Sequence, residues 1–509
     1  VDIGKVISTQ DGPSTSFFAF AIQKDKGVNK DQFVKVNTNE GTMIAMVENV
    51  VKTSRYYANP ETVVESDNLE QLFQVDEWEF LIAEATPLGV MINEVIVRPT
   101  VPPSPGDMVE NVSSKVLSKF LGFEDKGINI GKVLHHEVPV QLGLGKTFQK
   151  HLAILAMSGA GKSYLTSVLM EEVLKRNRGQ GRVASVVFDV HGEYVSFAEK
   201  PPSNFSDFSK MADAVVKIKI PVPELSAREI SVFTTLTHVQ VAELDKVIRS
   251  LRGSKYDFKN LASEVSTRTI PPKTKAALVR WLNDLHSTGL FSSTEDLVTK
   301  RPGEKEEHHR LVELIKPGRM IIFDLSQDIQ KRVRDLIVLW LSRELFKLRR
   351  FEEIPPLVMF VEEAHNFIPE GSSRIESPTL GIFQTIAREG RKFFCSLVVI
   401  SQRPIKLSTT VLSQCNTHII MRITNPYDLN HIGQSSEGIT NNTLKSLTSL
   451  QVGEALVVGE AVRYPVFLKV RERGSWEKKS SDMELSARLF EEKAGETKKE
   501  MDDAKDAFL

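Results

Sequence analysis

The chain carries only two cysteines in 509 residues, Cys395 and Cys415, with no C-x-x-C spacing. Two isolated thiols cannot build a disulfide framework or a four-cysteine zinc site. Each lies at or beside an apolar segment, so buried free thiols are expected. An excess of either charge is also missing: 65 Lys and Arg against 66 Asp and Glu leave a net charge of -1. That balance excludes a basic arm and an acidic solvating chain, and any nucleic-acid site must be local. Long apolar runs are absent as well, since stretches such as 152–157 and 397–400 fall far short of the ~20 residues of a membrane span. The first residues, Val1-Asp2-Ile3-Gly4-Lys5, lack the charged start, apolar run and cleavage site of a secretory signal. A cytoplasmic protein with no membrane partner is expected.

What is present suffices for ordinary cores, with 41% hydrophobic residues. The length, at ~100–200 residues per domain, calls for about three structural units. Residues 1–111 read as short strands (4–8, 16–23, 32–36, 42–51, 79–85 and 90–98) separated by Gly, Asn, Asp and Pro, which predicts a small antiparallel barrel or sandwich. The Pro-rich stretch Pro99–Pro105 reads as its exit. Residues 112–470 alternate apolar strands (151–157, 183–189, 320–324, 357–361, 394–400 and 418–422) with amphipathic helices. This is the pattern of a mostly parallel sheet with helices on both faces, an α/β fold. A helical insertion is expected at about 221–310, with helices at 226–237, 241–251 and 273–286. Residues 471–509 read as a charged helical arm bearing Leu485, Leu489 and Phe490.

The strongest motif is Ala156-Met157-Ser158-Gly159-Ala160-Gly161-Lys162-Ser163, placed between an apolar strand and a helix that continues through Tyr164 and Leu165. In G-x-x-x-x-G-K-[ST] the loop amides and helix N-terminus bind phosphates, the Lys reaches the β/γ-phosphates and the Ser hydroxyl meets Mg²⁺. Ala156 replaces the first Gly, a mild departure because Gly159 and Gly161 remain where the backbone must approach phosphate. A second buried strand ends in Val361-Glu362-Glu363, a Walker B pattern. Glu362 stands where Asp is usual and would organise the metal's water shell; Glu363 would polarise the attacking water. The strand 394–400 ends in Ser401-Gln402-Arg403-Pro404, and Gln402 is positioned to sense the γ-phosphate, a solvent-facing terminus being the alternative. An arginine offered to a neighbouring subunit's γ-phosphate is sought near the helix 380–389: Arg388 is the first choice, Arg391 the second and Arg422 the third, with surface ion pairs the plain alternative.

Taken together, Ser158–Ser163, Asp189-Val190-His191-Gly192-Glu193-Tyr194, Glu362-Glu363-Ala364-His365-Asn366-Phe367-Ile368-Pro369, Ala387–Lys392, Ser401–Pro404 and the strand with Arg422 and Asn425-Pro426 resemble the HerA family of archaeal and bacterial DNA translocases. The resemblance covers nearly the whole chain and rests chiefly on the H-G-E-Y and E-E-A-H-N-F-I-P segments. It implies a RecA-like P-loop ATPase core with an N-terminal barrel of the ATP-synthase type. It further implies a homohexameric, FtsK-like ring that uses ATP and Mg²⁺ on double-stranded DNA with a NurA-type nuclease in DNA end processing. Carried over by residue, Lys162 and Ser163 hold phosphate and metal, Glu363 is the catalytic glutamate, Gln402 the sensor and Arg388 the finger in trans. Lys150 stands where such proteins can place another basic residue toward nucleotide. Asp189, His191 and Glu193 either tune the metal or simply form the turn that Gly192 supplies.

Channel contacts are expected from Lys331, Arg332 and Arg334, which precede a helix, or from Arg374, with a solvated helix face as the alternative. Few aromatics interleave with them, which favours duplex over single-strand tracking. A conjugation- or secretion-type ring ATPase that moves protein is the competing reading. A superfamily-2 helicase, suggested by the D-E-A-H-like Glu362–His365, would need a second RecA-like domain for which about 40 residues do not suffice. A nucleotide-binding scaffold without turnover is disfavoured by intact Lys162 and Glu363.

Overall fold

The computed structural model describes residues 2–10, 12–54, 79–234, 236–300, 305–326, 330–371, 377–436 and 439–477, with Arg488 and Glu491 beyond them. The expected C-terminal arm thus falls largely outside the described residues, as do Leu485, Leu489, Phe490 and Arg374. The chain forms two compact units: Val1–Val183 with Leu339–Glu472, and Ala184–Val338 with Arg473–Leu509.

The first unit begins with β1 (Asp2–Ile7), β2 (Phe18–Ile22), β3 (Phe33–Thr38), β4 (Gly41–Ser54), β5 (Glu79–Ile92), β6 (Val95–Val97) and β7 (Met108–Asn111). Six of these close on themselves in the order β2-β1-β7-β3-β4-β5, with β5 pairing back onto β2 and β6 added to β5. A closed barrel leaves no edge among those six strands. Alternate residues point inward, as a period of two requires: Phe18 and Phe20, Val34 and Val36, Met43, Ala45 and Val47, and Ala83 and Ala85 fill one core. Two sequence expectations are corrected here. Pro87 and Gly89 look like a turn, yet β5 runs through them, because the register against β4 shifts there and a bulge tolerates proline. The stretch 99–105 is not the exit, since β7 follows it and inserts between β1 and β3; a four-residue strand with one buried side chain carries almost no periodic signal.

Next come β8 (Ile128–Val133), β9 (Pro139–Leu142) and β10 (Leu152–Leu155), then, in the second unit, β11 (Ala184–Asp189), β12 (Ala212–Pro221), β13 (Phe291–Ser292), β14 (Asp296–Thr299), β15 (Glu307–His309) and β16 (Met320–Asp324). The chain returns to the first unit with β17 (Leu357–Val361), β18 (Cys395–Ser401), β19 (Thr417–Met421), β20 (Glu454–Gly459) and β21 (Val466–Val470). In the first unit β17, β18, β10 and β19 are parallel, and β20, β21, β8 and β9 extend them in antiparallel fashion. The fold is α/β, as the alternation predicts, with a mixed sheet whose antiparallel flank the short strands did not announce. Both thiols are buried, Cys395 in β18, and burial pushes each up to about 12.

In the second unit β11, β16 and β12 run parallel, and β14 and β15 continue antiparallel from β12. Between β12 and β13 lie helices Ala227–Phe233, His238–Ser250, Phe258–Thr267 and Pro272–Ser287. Three of them start with reciprocal capping boxes, at Ser226, Thr237 and Asp257, which fixes where each helix begins. No helix among the described residues is long and apolar enough to cross a membrane.

Candidate active site

Parallel register aligns four strand ends. Leu155 of β10 lies opposite Ser401 of β18 and Ile420 of β19, and Val361 of β17 lies opposite Val399 of β18. The P-loop after Leu155, Glu362-Glu363 after Val361, Gln402 after Ser401 and Arg422 after Met421 therefore all leave the sheet at its carboxyl edge. Open α/β sheets bind ligands at that edge.

The loop is anchored to both neighbours before it turns: Ala156 N–H donates to the Ser401 carbonyl at 3.3 Å and Met157 N–H to the Arg422 carbonyl at 3.0 Å. Its left-handed residues are Gly159 (φ 78°) and Gly161 (φ 102°), and Ala156 is outside that region. The missing first glycine therefore imposes no backbone strain. Ser158 and Gly159 are exposed, Ala160 is buried, and Ser163 and Tyr164 are half-buried. The helix Lys162–Leu174 starts straight after Gly161 with no side-chain cap, so its first amides remain available at the loop.

Lys162 is buried at 5% exposure, with its Nζ 3.2 Å from Glu363 Oε1 and 3.8 Å from Glu362 Oε1. Consecutive strand residues point to opposite faces. Both glutamates reach one lysine because Glu363 leaves the strand geometry, at φ 46° and ψ 46°. A non-glycine residue held there costs ~1–3 kcal/mol, a cost that clusters at functional sites. Gln402 Nε2 donates to Glu363 Oε1 at 2.8 Å, and His365 Nδ1 lies 3.2 Å from Glu363 Oε2 and 3.2 Å from Ser401 Oγ. Burial lowers the His365 pKa, outweighing the raising effect of Glu363, with Arg403, Lys406 and Lys162 adding to the depression. A neutral ring keeps one proton, which at Nδ1 donates toward the carboxylate. Glu363 is thus held by Lys162, Gln402 and His365 together.

The groups available to phosphate are the loop amides, Lys162 and the Ser163 hydroxyl. Ser163 and Glu362 are the oxygen donors suited to a hard divalent cation. Two carboxylates around one ammonium leave that trio with an excess negative charge, a donor set such a cation complements.

Of the other sequence candidates in the first unit, only Arg422 lies at this edge. Arg422 is exposed at the carboxyl edge. Lys150 precedes β10 at the opposite edge and pairs with Glu460 at 2.7 Å. Arg388 and Arg391 are exposed at that same amino edge, where buried His151 accepts from Leu397 N–H through Nδ1 at 3.0 Å and donates through Nε2 to the Ala387 carbonyl at 2.9 Å. Within one chain these three cations are therefore not brought to the P-loop. In the second unit the Asp189 carboxylate accepts from the N–H groups of Gly192, Glu193 and Tyr194 at 2.7, 3.0 and 2.8 Å, closing the turn of His191 and Glu193. Lys331 and Arg332 are exposed and Arg334 half-buried at the start of helix Lys331–Arg350. Sequence reasoning assigned nothing to His365, whose one signal is its place two residues after Glu363, or to His151, which has none.

Residues 128–345 match the family model described as "Helicase HerA, central domain". A Pyrococcus furiosus protein named DNA double-strand break repair helicase HerA is 27% identical, covering 90% of each chain. A Saccharolobus solfataricus protein of the same name is 26% identical over 74% of this chain and 75% of its own. Over its central residues, and at 26–27% identity along most of its length, the chain is thus similar to the HerA family. With the P-loop geometry above, this chain is a P-loop ATPase of the helicase and translocase class. Among solved structures, VirB4 of Thermoanaerobacter pseudethanolicus superposes with a TM-score of 0.50 at 17% identity, covering 68% of this chain and 97% of that one. That likeness extends to the fold.

Proposed function

We propose that this protein is a HerA-family, ATP-driven double-stranded DNA translocase, working as a homohexamer with Mg²⁺ and a nuclease partner of the NurA type in DNA end processing. The observation that carries the reading is the triply held Glu363 beside Lys162 at the carboxyl edge of the sheet. Ser163 and Glu362 would hold Mg²⁺, which when bound would supply charge neutralisation on the phosphates. Lys162 exchanges its contact with Glu363 for phosphate oxygens, and the freed carboxylate accepts a hydrogen bond from water and orients it. Gln402, already on Glu363, reports whether that water and the γ-phosphate are present. His365 keeps Glu363 aimed while remaining neutral itself.

The amino-edge cations fit the ring. Arg388 and Arg391 lie too far round the sheet for their own P-loop, and a neighbouring copy is the partner whose nucleotide they would meet. Arg422, and Lys150 in trans, are further contacts to nucleotide. Relatives named as DNA repair helicases support DNA as the track, and exposed Lys331 and Arg332 are candidates for the channel.

The test is steady-state ATP hydrolysis with and without blunt linear duplex, with Glu363→Gln as the control. Strong stimulation lost in the variant is expected. Robust hydrolysis indifferent to duplex would favour the second reading, a conjugation-type ATPase that handles protein, which the shared fold with VirB4 keeps in play.

A further inference from the structure

The helical part of the second unit concentrates one sign of charge. Between residues 246 and 280 there are nine Lys or Arg and two Asp or Glu, in a chain whose totals balance. Both of those carboxylates are already used within the bundle. Asp257 accepts from Asn260 N–H at 2.8 Å as the N-cap of helix Phe258–Thr267, and Glu264 pairs with Arg268 at 2.8 Å. Lys246 and Arg249 are paired just upstream, with Glu243 and Asp245. Arg252, Lys255, Lys259, Lys273 and Arg280 are exposed, and among the described residues none has an acidic partner.

The packing of three helices spreads these five along helix Phe258–Thr267 and its two neighbours. Arg268, just past the end of Phe258–Thr267, donates to Ser250 Oγ at the end of His238–Ser250. Lys275, in the first turn of Pro272–Ser287, donates to the Ser266 carbonyl at 3.0 Å. Arg252 and Lys273 each lie two residues from this junction. Lys255 and Lys259 lie toward the start of Phe258–Thr267, a helix of ten residues and hence ~15 Å long, and Arg280 lies about two turns along the adjacent helix. A strip of that length spans about four phosphates of one strand at ~3.4 Å of axis each.

Two features argue for an external polyanion. Lys273 sits in the first turn of Pro272–Ser287, where the macrodipole works against a cation, and neither that turn nor its cap, Pro271, offers an acid. A subdomain arranged only for its own stability would place acids there. The strip also offers no free aromatic platform: Tyr256 and Phe258 are buried, and Trp281 is half-buried with Arg280 over its ring at 5.6 Å. Unstacked bases would find nothing to stack on, whereas a duplex backbone needs only charge.

We propose that this strip binds the phosphate backbone of duplex DNA, as a contact separate from the ATPase site. It rests on the motor reading only in the choice of polyanion. The test is equilibrium binding of a short labelled duplex to the full chain without nucleotide, comparing wild type with the triple variant Arg252→Glu, Lys255→Glu and Lys273→Glu. The expected result is affinity reduced about tenfold or more, and a log-log salt slope smaller by ~0.9 for each lost phosphate contact. Basal hydrolysis without DNA and the thermal midpoint should be unchanged, which shows that the variant is folded. A second variant, Lys259→Glu with Arg280→Glu, should shift affinity in the same direction. Unchanged affinity in both variants overturns the proposal, as does displacement of the duplex by polyglutamate at equal charge, which would assign the strip to an acidic protein. Duplex binding through the strip with no stimulation of hydrolysis would leave the strip standing and remove the motor. Stimulation with unaltered binding in the variants would do the reverse.

Discussion

The two edges of the parallel sheet are made by the same strands and treat charge in opposite ways. At the carboxyl edge Lys162, Glu362 and Glu363 are buried and fixed on one another, with Gln402 and His365 closing the network. At the amino edge the buried group is His151, satisfied as a neutral ring between Leu397 N–H and the Ala387 carbonyl, and the cations Arg388 and Arg391 are exposed. A site that acts on its own ligand holds its charges preorganised, since reorganisation during reaction is costly. Charges left exposed at the other edge suit delivery to a ligand held by another copy.

That contrast can be broken most forcefully at the amino edge. Arg388→Ala should lower turnover at saturating ATP by ~10³–10⁵, the range of an arginine finger. Mixing Arg388→Ala with Glu363→Gln subunits should restore part of the activity in a hydrolysis assay, because some interfaces regain both groups; no recovery would place Arg388 outside the reaction. At the carboxyl edge, Glu363→Gln should cost ~10²–10⁴ in kcat while nucleotide affinity, followed by fluorescent-nucleotide titration, is kept.

The buried rings give a third handle. Burial pushes His136, His151 and His418 down to about 4. The geometry agrees for two of them, as His136 Nε2 accepts from Phe33 N–H at 3.0 Å and His151 Nδ1 from Leu397 N–H. Their folded pKa values lie below the unfolded value near 6.5, so their contribution is complete above about 6.5 and is lost as pH falls toward about 4. Stability should fall over that window by up to ~1.4 kcal/mol per pH unit for each ring, measured by denaturant titration, with His151→Ala flattening the profile. The smallest effect is expected at Ala156→Gly, which should leave hydrolysis unchanged and lower stability by at most ~0.5–1 kcal/mol.

Much of this contrast was legible in the sequence on one edge and hidden on the other. The P-loop, Glu362-Glu363 and Gln402 each follow a run of apolar residues, and a run long enough to be a buried strand announces where its end must be. The likeness to the HerA family rests on the same segments, and the α/β class on their alternation. What escaped was set by pairing between distant segments. β7 has one buried side chain in four residues, and the hairpins β8–β9 and β20–β21 join the parallel strands through β20 on β19 and β21 on β8, the latter pairing segments more than 300 residues apart. His151 looks like any polar residue at a strand start, and only the approach of Leu397 and Ala387 explains its burial. The position of Lys150 at the edge away from the P-loop, by contrast, is legible in sequence order, because Lys150 precedes β10 and the P-loop follows it.

The central claim, that hydrolysis at Glu363 drives movement along duplex DNA, is tested most directly by displacement of a third strand from a linear triplex. The account predicts ATP-dependent release by the wild-type protein and none with Glu363→Gln. Duplex-stimulated hydrolysis by the wild type with the third strand left in place would contradict it.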